Sequence, residues 1–211
     1  MKLNFSLILS LFVLLAFVAS SKAQPRPLAN PREILAKINA HTQDIYKLQA
    51  DFVQEKHLSF LENPVESEGK FWFNQPDQIR WEYQKPYNYV MIMTKGQLKV
   101  IDDGNVFSTD LSANKMFEQL NGLIGGSIQG KLLAEEKNYQ KTYFTDDKNI
   151  IVRFVPVSPE LKAYLKHIEI FFDKATYDVT QFVMVEPGDD FTRIRFSQRK
   201  INQDFSQDVF K

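Results

Sequence analysis

Residues Gly69–Pro86, GKFWFNQPDQIRWEYQKP, decide the fold. On the first arm Phe71, Phe73 and Gln75 share one face, and Trp72 and Asn74 share the other. On the second arm Ile79, Trp81 and Tyr83 alternate with Arg80, Glu82 and Gln84. A period of two with unlike faces predicts a pair of strands. Asn74-Gln75-Pro76-Asp77 supplies turn chemistry between them. Pro86 ends the second arm, because proline cannot donate to a ladder. The inward face of this hairpin is therefore almost wholly aromatic and aliphatic.

Working outward, more strands follow on both sides. Gln49–Ser59 carries Phe52 and Val53 and reads as extended, and Glu62-Asn63-Pro64 turns the chain into the hairpin. Beyond it, Tyr89–Thr94 reads YVMIMT. It is apolar on both faces, so both should be covered. Lys95-Gly96-Gln97 leads into Leu98–Ile101, and Asp102-Asp103-Gly104-Asn105 leads into Val106–Thr109. Strands this close, joined by short turns, predict an antiparallel meander. Tyr139–Thr145, Ile150–Pro156, Tyr164–Phe172, Val179–Glu186 and Phe191–Phe196 also read as extended.

Two stretches break this pattern. Asn30-Pro31-Arg32-Glu33 is a helix start, with Asn30 as cap and Pro31 at the first helical position. Ile34, Leu35, Ile38, His41, Ile45 and Leu48 then recur at three- and four-residue steps, predicting an apolar stripe over about 31–49. His41 sits on that stripe as a packing histidine. Ser112 can cap a second helix carrying Met116, Phe117, Leu120, Leu123 and Ile124, stopped by Gly125-Gly126. A short helical piece over Ser127–Ala134 follows. Gly122, Gly125, Gly126 and Gly130 are half of the chain's 8 glycines. Helices this short and glycine-rich hold their shape poorly alone, so residues 112–134 read as a cover able to shift, with a helical insert packed permanently on the sheet as the alternative. About eleven antiparallel strands must curl. The expected fold is mainly β (α+β), a cup of strands with helices on its concave side.

Length and composition bound the function. The 211 residues allow one domain of this kind. The 26 basic and 26 acidic residues balance, so net charge gives no nucleic-acid footprint. There are 18 Phe, 8 Tyr and 2 Trp against 3 His and no Cys. Disulfides, thiolate metal sites and cysteine nucleophiles are excluded. Residues 1–23 read as a secretory signal: Lys2 opens it, Leu7–Val18 is its apolar core, and Ser21-Lys22-Ala23 precedes cleavage before Gln24. An uncleaved anchor is the alternative, with a core short for a span. Without Lys2 and Lys22 there are 24 basic against 26 acidic residues. Residues 24–30 are expected to form a mobile lead-in, leaving 31–211 as a single domain.

These residues resemble the LolA family of periplasmic lipoprotein carriers. The match rests on Phe52 and Gln54 (F-x-Q), on Gly69, Phe71 and Trp72 (G-x-F-W), and on Pro76, Trp81, Tyr83 and Pro86 (P-x4-W-x-Y-x2-P). The late Asp190, Thr192 and Phe196 add to it. The resemblance implies a curved, unclosed antiparallel β-barrel of about eleven strands, with a helical lid over an apolar cavity that holds acyl chains. It implies a periplasmic monomer that takes acylated lipoproteins from an inner-membrane ABC-type releasing complex to an outer-membrane acceptor. It implies no cofactor, no metal, no nucleic acid and no catalysis. Cavity residues would be Phe71, Phe73, Ile79, Trp81, Tyr83, Met91 and Met93 from the sheet, with Phe117, Leu120 and Ile124 from the lid. The family often has an arginine before the turn proline that latches the lid. Here the latch position is Gln75, which can still donate to a lid carbonyl. A LolA-like carrier of another acylated or polyene lipid is the neighbouring reading.

Rival classes have weaker support. His41, His57 and His167 lie far apart and match no metal spacing. There is no G-x-S-x-G and no phosphate loop. Asp102/Asp103, Asp146/Asp147 and Asp189/Asp190 all fall in turn signals, where loop carboxylates are ordinary. A hydrolase using paired carboxylates is the remaining enzymatic alternative. Trp72, with the charged face of Arg80 and Glu82, could instead mark a protein-binding module without lipid.

Overall fold

The computed structural model describes residues 24–113, 122, 124–134 and 137–211. Helix α1 spans Pro31–Gln43. Strands β2 (Lys47–His57), β3 (Val65–Asn74), β4 (Gln78–Lys85), β5 (Tyr89–Thr94), β6 (Gln97–Asp102) and β7 (Asn105–Asp110) follow it. Residues 124–128 are helical, and a one-turn helix α2 spans Lys131–Ala134. The chain then returns to β8 (Tyr139–Thr145) and β9 (Asn149–Pro156), makes helix α3 (Pro159–Lys162), and finishes with β10 (His167–Asp173), β11 (Val179–Val185) and β12 (Phe191–Ile201). A two-residue strand β1, Arg26–Pro27, precedes α1.

All strands form one 12-stranded sheet in the order β1-β8-β9-β10-β11-β12-β2-β3-β4-β5-β6-β7. Every pairing is antiparallel, and β1 and β7 stand at opposite ends of the strand order. The sheet curves without closing into a true barrel, as expected. Its twelfth strand comes from the lead-in. Arg26 and Pro27 pair with Thr145 and Phe144, so the segment expected to be loose is pinned to the sheet edge.

The inner face carries the core. Phe52, Phe71, Phe73, Ile79, Trp81 and Tyr83 pack in one cluster with Val152, Phe154, Ile170, Phe182 and Phe196 from the far half of the sheet. The outer face has a second, smaller cluster of Trp72, Ile92 and Phe210. That explains YVMIMT: Met93 belongs to the inner cluster and Ile92 to the outer one. The cover on the outer face is the tail, whose last turn spans Gln207–Phe210. Trp72 is consequently 8% exposed, and not the open surface aromatic that its alternation suggests. Arg80 lies over its ring at 5.6 Å, bonds Glu82 at 2.6 Å and donates to the Val209 carbonyl at 2.9 Å.

Helix α1 ends earlier than its stripe predicts. Residues 47–49 belong to β2, and Leu48 pairs with Phe73. Asn202 makes the break: its amide donates to the Asp44 carbonyl at 2.8 Å, and its carbonyl accepts from the Tyr46 and Lys47 N–H groups at 3.0 and 3.2 Å. These bonds satisfy backbone groups where helix gives way to strand. At the other end Asn30 makes no side-chain cap bond, so Pro31 alone marks the start. Helix α3 was not foreseen; Ser158 caps it by accepting from the Leu161 N–H at 3.3 Å. Ser112 lies inside a 3-10 turn, Leu111–Ala113.

Candidate functional site

The motif residues, scattered in sequence, meet on the inner face. Gly69 is opposite Phe52 on β2, and the pairing of β3 with β4 shifts register between it and Glu68. A Cβ at Gly69 would stand 2.0 Å from the Glu82 carbonyl oxygen and 2.9 Å from the Phe52 ring. Glycine is required there by space. The Phe52 ring then meets Trp81 edge-on at 4.9 Å and Tyr83 at 5.0 Å. Phe71 lies 4.6 Å from Trp81 and 5.5 Å from Phe196, and Phe196 lies 5.7 Å from Phe182. Such aromatic pairs add about 0.5–1.5 kcal/mol each beyond area burial.

One polar bond ties this patch together. The Tyr83 hydroxyl donates to Gln54 Oε1 at 3.0 Å. Tyr83 also stacks on Tyr89 at 4.2 Å. Burial pushes both phenols above their usual range, so both keep their protons at neutral pH. The Gln54–Tyr83 pair was not foreseen; the equal spacing of two polar groups from Phe52 and Trp81 was its only sequence signal.

The structure brings most of the expected cavity residues together. Phe71, Phe73, Ile79, Trp81, Tyr83 and Met93 are buried in the inner cluster, and Met91 and Ile124 pack against it half-buried. Phe117 and Leu120 lie outside the described residues. The cover touches the patch at Gly125, where a Cβ would stand 3.8 Å from Ile79 Cδ1 and 3.9 Å from Phe73 Cε2. A void of about 10 Å³ lies beside the cover, bordered by Ile45, Leu48, Ile128, Val179 and Ile201 with Asp178 and Arg199. A single water needs about that much. Phe71, Phe73, Ile79 and Trp81 are no more than 3% exposed, so this face is closed to solvent in the structure.

Besides those of Asn202, polar contacts of Gln75 and His41 join the sheet side to α1 or to the connection that follows it. Gln75 Nε2 donates to the Ile45 carbonyl at 3.0 Å, and the Gln75 N–H donates to the Tyr46 carbonyl at 2.9 Å. The carbonyl that Gln75 reaches belongs to the connection after α1. The second contact is His41 Nε2 to Asp178 Oδ1 at 2.6 Å. His41, read from its stripe as a packing residue, instead bridges α1 to the β10–β11 turn. Arg199 faces the same carboxylate at 3.8 Å. Among the described residues no group of three His, Cys, Asp or Glu could hold a metal ion.

Fold and patch together define a class: an unclosed, curved β-barrel whose apolar concave face lies under short helical segments. More particularly, the chain belongs to the LolA family, whose model, described as outer membrane lipoprotein carrier protein LolA, matches residues 43–211. An outer-membrane lipoprotein carrier protein of Alkalilimnicola ehrlichii is 26% identical over 197 residues, covering 85% of this chain and 88% of that one. Another from Methylococcus capsulatus is 25% identical over 113 residues, covering 54% and 53% respectively. The crystal structure of MucB superposes with a TM-score of 0.50 at 12% identity over 85% of this chain. This chain spans 62% of MucB, and the likeness is one of fold.

Proposed function

We propose that the protein carries acylated lipoproteins across the periplasm, sheltering their acyl chains against the inner aromatic patch. The observation that supports this is a large apolar concave face on which the helical cover rests, with Gly125 against Phe73 and Ile79. Each methylene exposed to water costs about 0.8 kcal/mol, so a chain of about 15 methylenes costs roughly 12 kcal/mol. A lipid with two or three such chains does not cross water unaided. Phe71, Phe73, Ile79, Trp81, Tyr83, Met91 and Met93 supply replacement surface, with Ile124 above them. Their contacts are non-directional, which gives affinity without fixing the cargo and leaves release possible.

Loading begins from the closed state. The cover over Phe73 and Ile79 moves aside, and acyl chains take its place. The glycines at 125, 126 and 130 suit a segment that must change its packing. Lipoprotein would come from an inner-membrane releasing complex and pass to an outer-membrane acceptor, as the family resemblance implies; the related proteins are named outer-membrane lipoprotein carriers. Gln75 in place of a latching arginine ties the connection after α1 by a neutral hydrogen bond, weaker than a charge-assisted one.

The test is extraction of the purified protein with chloroform and methanol, followed by mass spectrometry. Acylated species should appear, and a fluorescent fatty acid should displace them. A lipid-free preparation that also fails to take up the fluorescent fatty acid would end this reading. Polyene or simple phospholipid species without lipoprotein would replace the cargo and keep the carrier.

A further inference from the structure

At one end of the sheet, the β4–β5 and β6–β7 turns stand side by side. Between them is a hollow of about 800 Å³. Tyr83, Pro86, Tyr87 and Tyr89 line it from the first turn and its flanks, and Asp102 and Asp103 line it from the second. A hollow this large falls in the range of ligand sites, about 300–1,000 Å³.

Its charge is one-sided. Among the described residues three carboxylates border it, those of Glu82, Asp102 and Asp103, and no Lys or Arg does. Glu82 is neutralised by Arg80 at 2.6 Å. Among the described residues Asp102 and Asp103 enter no ion pair. Asp103 (φ 46°) and Gly104 (φ 79°) have the left-handed backbone of a tight hairpin turn. That geometry favours Asp at 103, but it asks nothing of 102. Opposite these acids, Tyr87 is 78% exposed. Carboxylates without a counter-charge facing aromatic rings select a cation.

The size and the neighbouring strand narrow the ligand further. A lone ammonium or guanidinium would fill a small part of the hollow. Immediately after Gly104, β7 begins at Asn105 and ends the strand order, paired only with β6 among the described residues. Val106 and Phe107 on it are 60% and 63% exposed. An open strand edge beside an acidic, aromatic hollow suits an extended chain bearing basic side chains.

We propose that this hollow docks an extended basic peptide segment of a partner protein, with a Lys or Arg side chain between the tyrosines and Asp102/Asp103. The site goes beyond the carrier reading and adjoins the lipid-facing patch through Tyr83 and Tyr89, while Tyr87, Asp102 and Asp103 lie outside that patch. The probe is a fluorescein-labelled decapeptide of alternating Lys and Val, followed by anisotropy. It should bind saturably. Asp102→Asn with Asp103→Asn should weaken binding about tenfold, and Tyr87→Ala about threefold. Asparagine keeps the left-handed turn, so the double variant should fold, as circular dichroism would verify. An alternating Glu and Val peptide should not bind. Absence of wild-type binding, or equal binding by the double variant, overturns the proposal. So does binding of phosphatidylcholine vesicles that depends on Asp102 and Asp103, which would assign the hollow to a lipid headgroup. Fatty-acid uptake by the same preparations reports the carrier site separately, so either idea can fail alone.

Discussion

Gly130 abuts Thr42: a Cβ built on the glycine would stand 2.2 Å from the Thr42 hydroxyl oxygen. Thr42 is wholly buried, and its hydroxyl donates to the Ile38 carbonyl at 2.8 Å, so it cannot swing away freely. Gly130 also has φ +68°, which L side chains rarely adopt. This is where the mid-chain segment meets α1, and both halves of the cover depend on it. Gly130→Ala should therefore cost about 2–4 kcal/mol from strain and overpacking. Urea denaturation would measure it, and Thr42→Ala added to that variant should restore part of the loss. Wild-type stability in Gly130→Ala would show that the two segments do not bear on each other.

The Gln75 side chain tests the latch. Its bond to the Ile45 carbonyl is neutral and half-buried, worth about 1 kcal/mol. Gln75→Ala should speed uptake of a fluorescent fatty acid in stopped flow. Gln75→Arg should slow it, because a guanidinium donates to the same carbonyl with charge. Identical uptake rates in all three proteins would remove Gln75 from any role in opening.

Much of this fold was legible because single residues carried unambiguous signals. Phe71, Phe73, Ile79, Trp81 and Tyr83 alternate without exception, and all five fall on the inner face. The end of α1 was not legible, for a physical reason. Ile45 and Leu48 continue a helical period, yet Leu48 equally fits an alternating strand, and Asn202 settles the matter from 154 residues away from it. Trp72 was misread for a similar reason. Its cover is Phe210, in a tail too short to show periodicity. The candidate site was legible as a set of residues but not as a packed state. Whether Phe73 faces a cavity or a neighbour depends on where Gly125 lies, and no local pattern encodes that.

Phe73 lies at the boundary between structure and cargo. It is 1% exposed, with Gly125 against its ring. Phe73→Ala should cost the empty protein about 3–5 kcal/mol, the usual range for a buried phenylalanine. If acyl chains occupy this region, added fatty acid should recover part of that loss by filling the space. Thermal melts with and without lipid would show a larger lipid-induced rise in Tm for Phe73→Ala than for the wild type. A rise equal to the wild type's would place the acyl chains elsewhere.

Acid stability should depend on Glu55, on the outer side of β2. Hydrogen bonding from Arg195, reinforced by Arg193 at 2.9 Å, outweighs partial burial and lowers its carboxyl from 4.5 to about 2. His57 Nε2 lies 3.7 Å away, its ring stacked on Phe191 at 4.2 Å. A carboxyl held low in the folded state contributes stability that is fully present above the unfolded value. That contribution fades as pH falls from about 4.5 towards 2. Because Arg195 is partly exposed, solvent screening limits the pair to about 1 kcal/mol. Glu55→Gln should lower Tm at pH 7 and flatten the fall in Tm across that acid window. An unchanged slope in the variant would show that other carboxylates govern acid unfolding, because a neutral amide at 55 has no proton to gain.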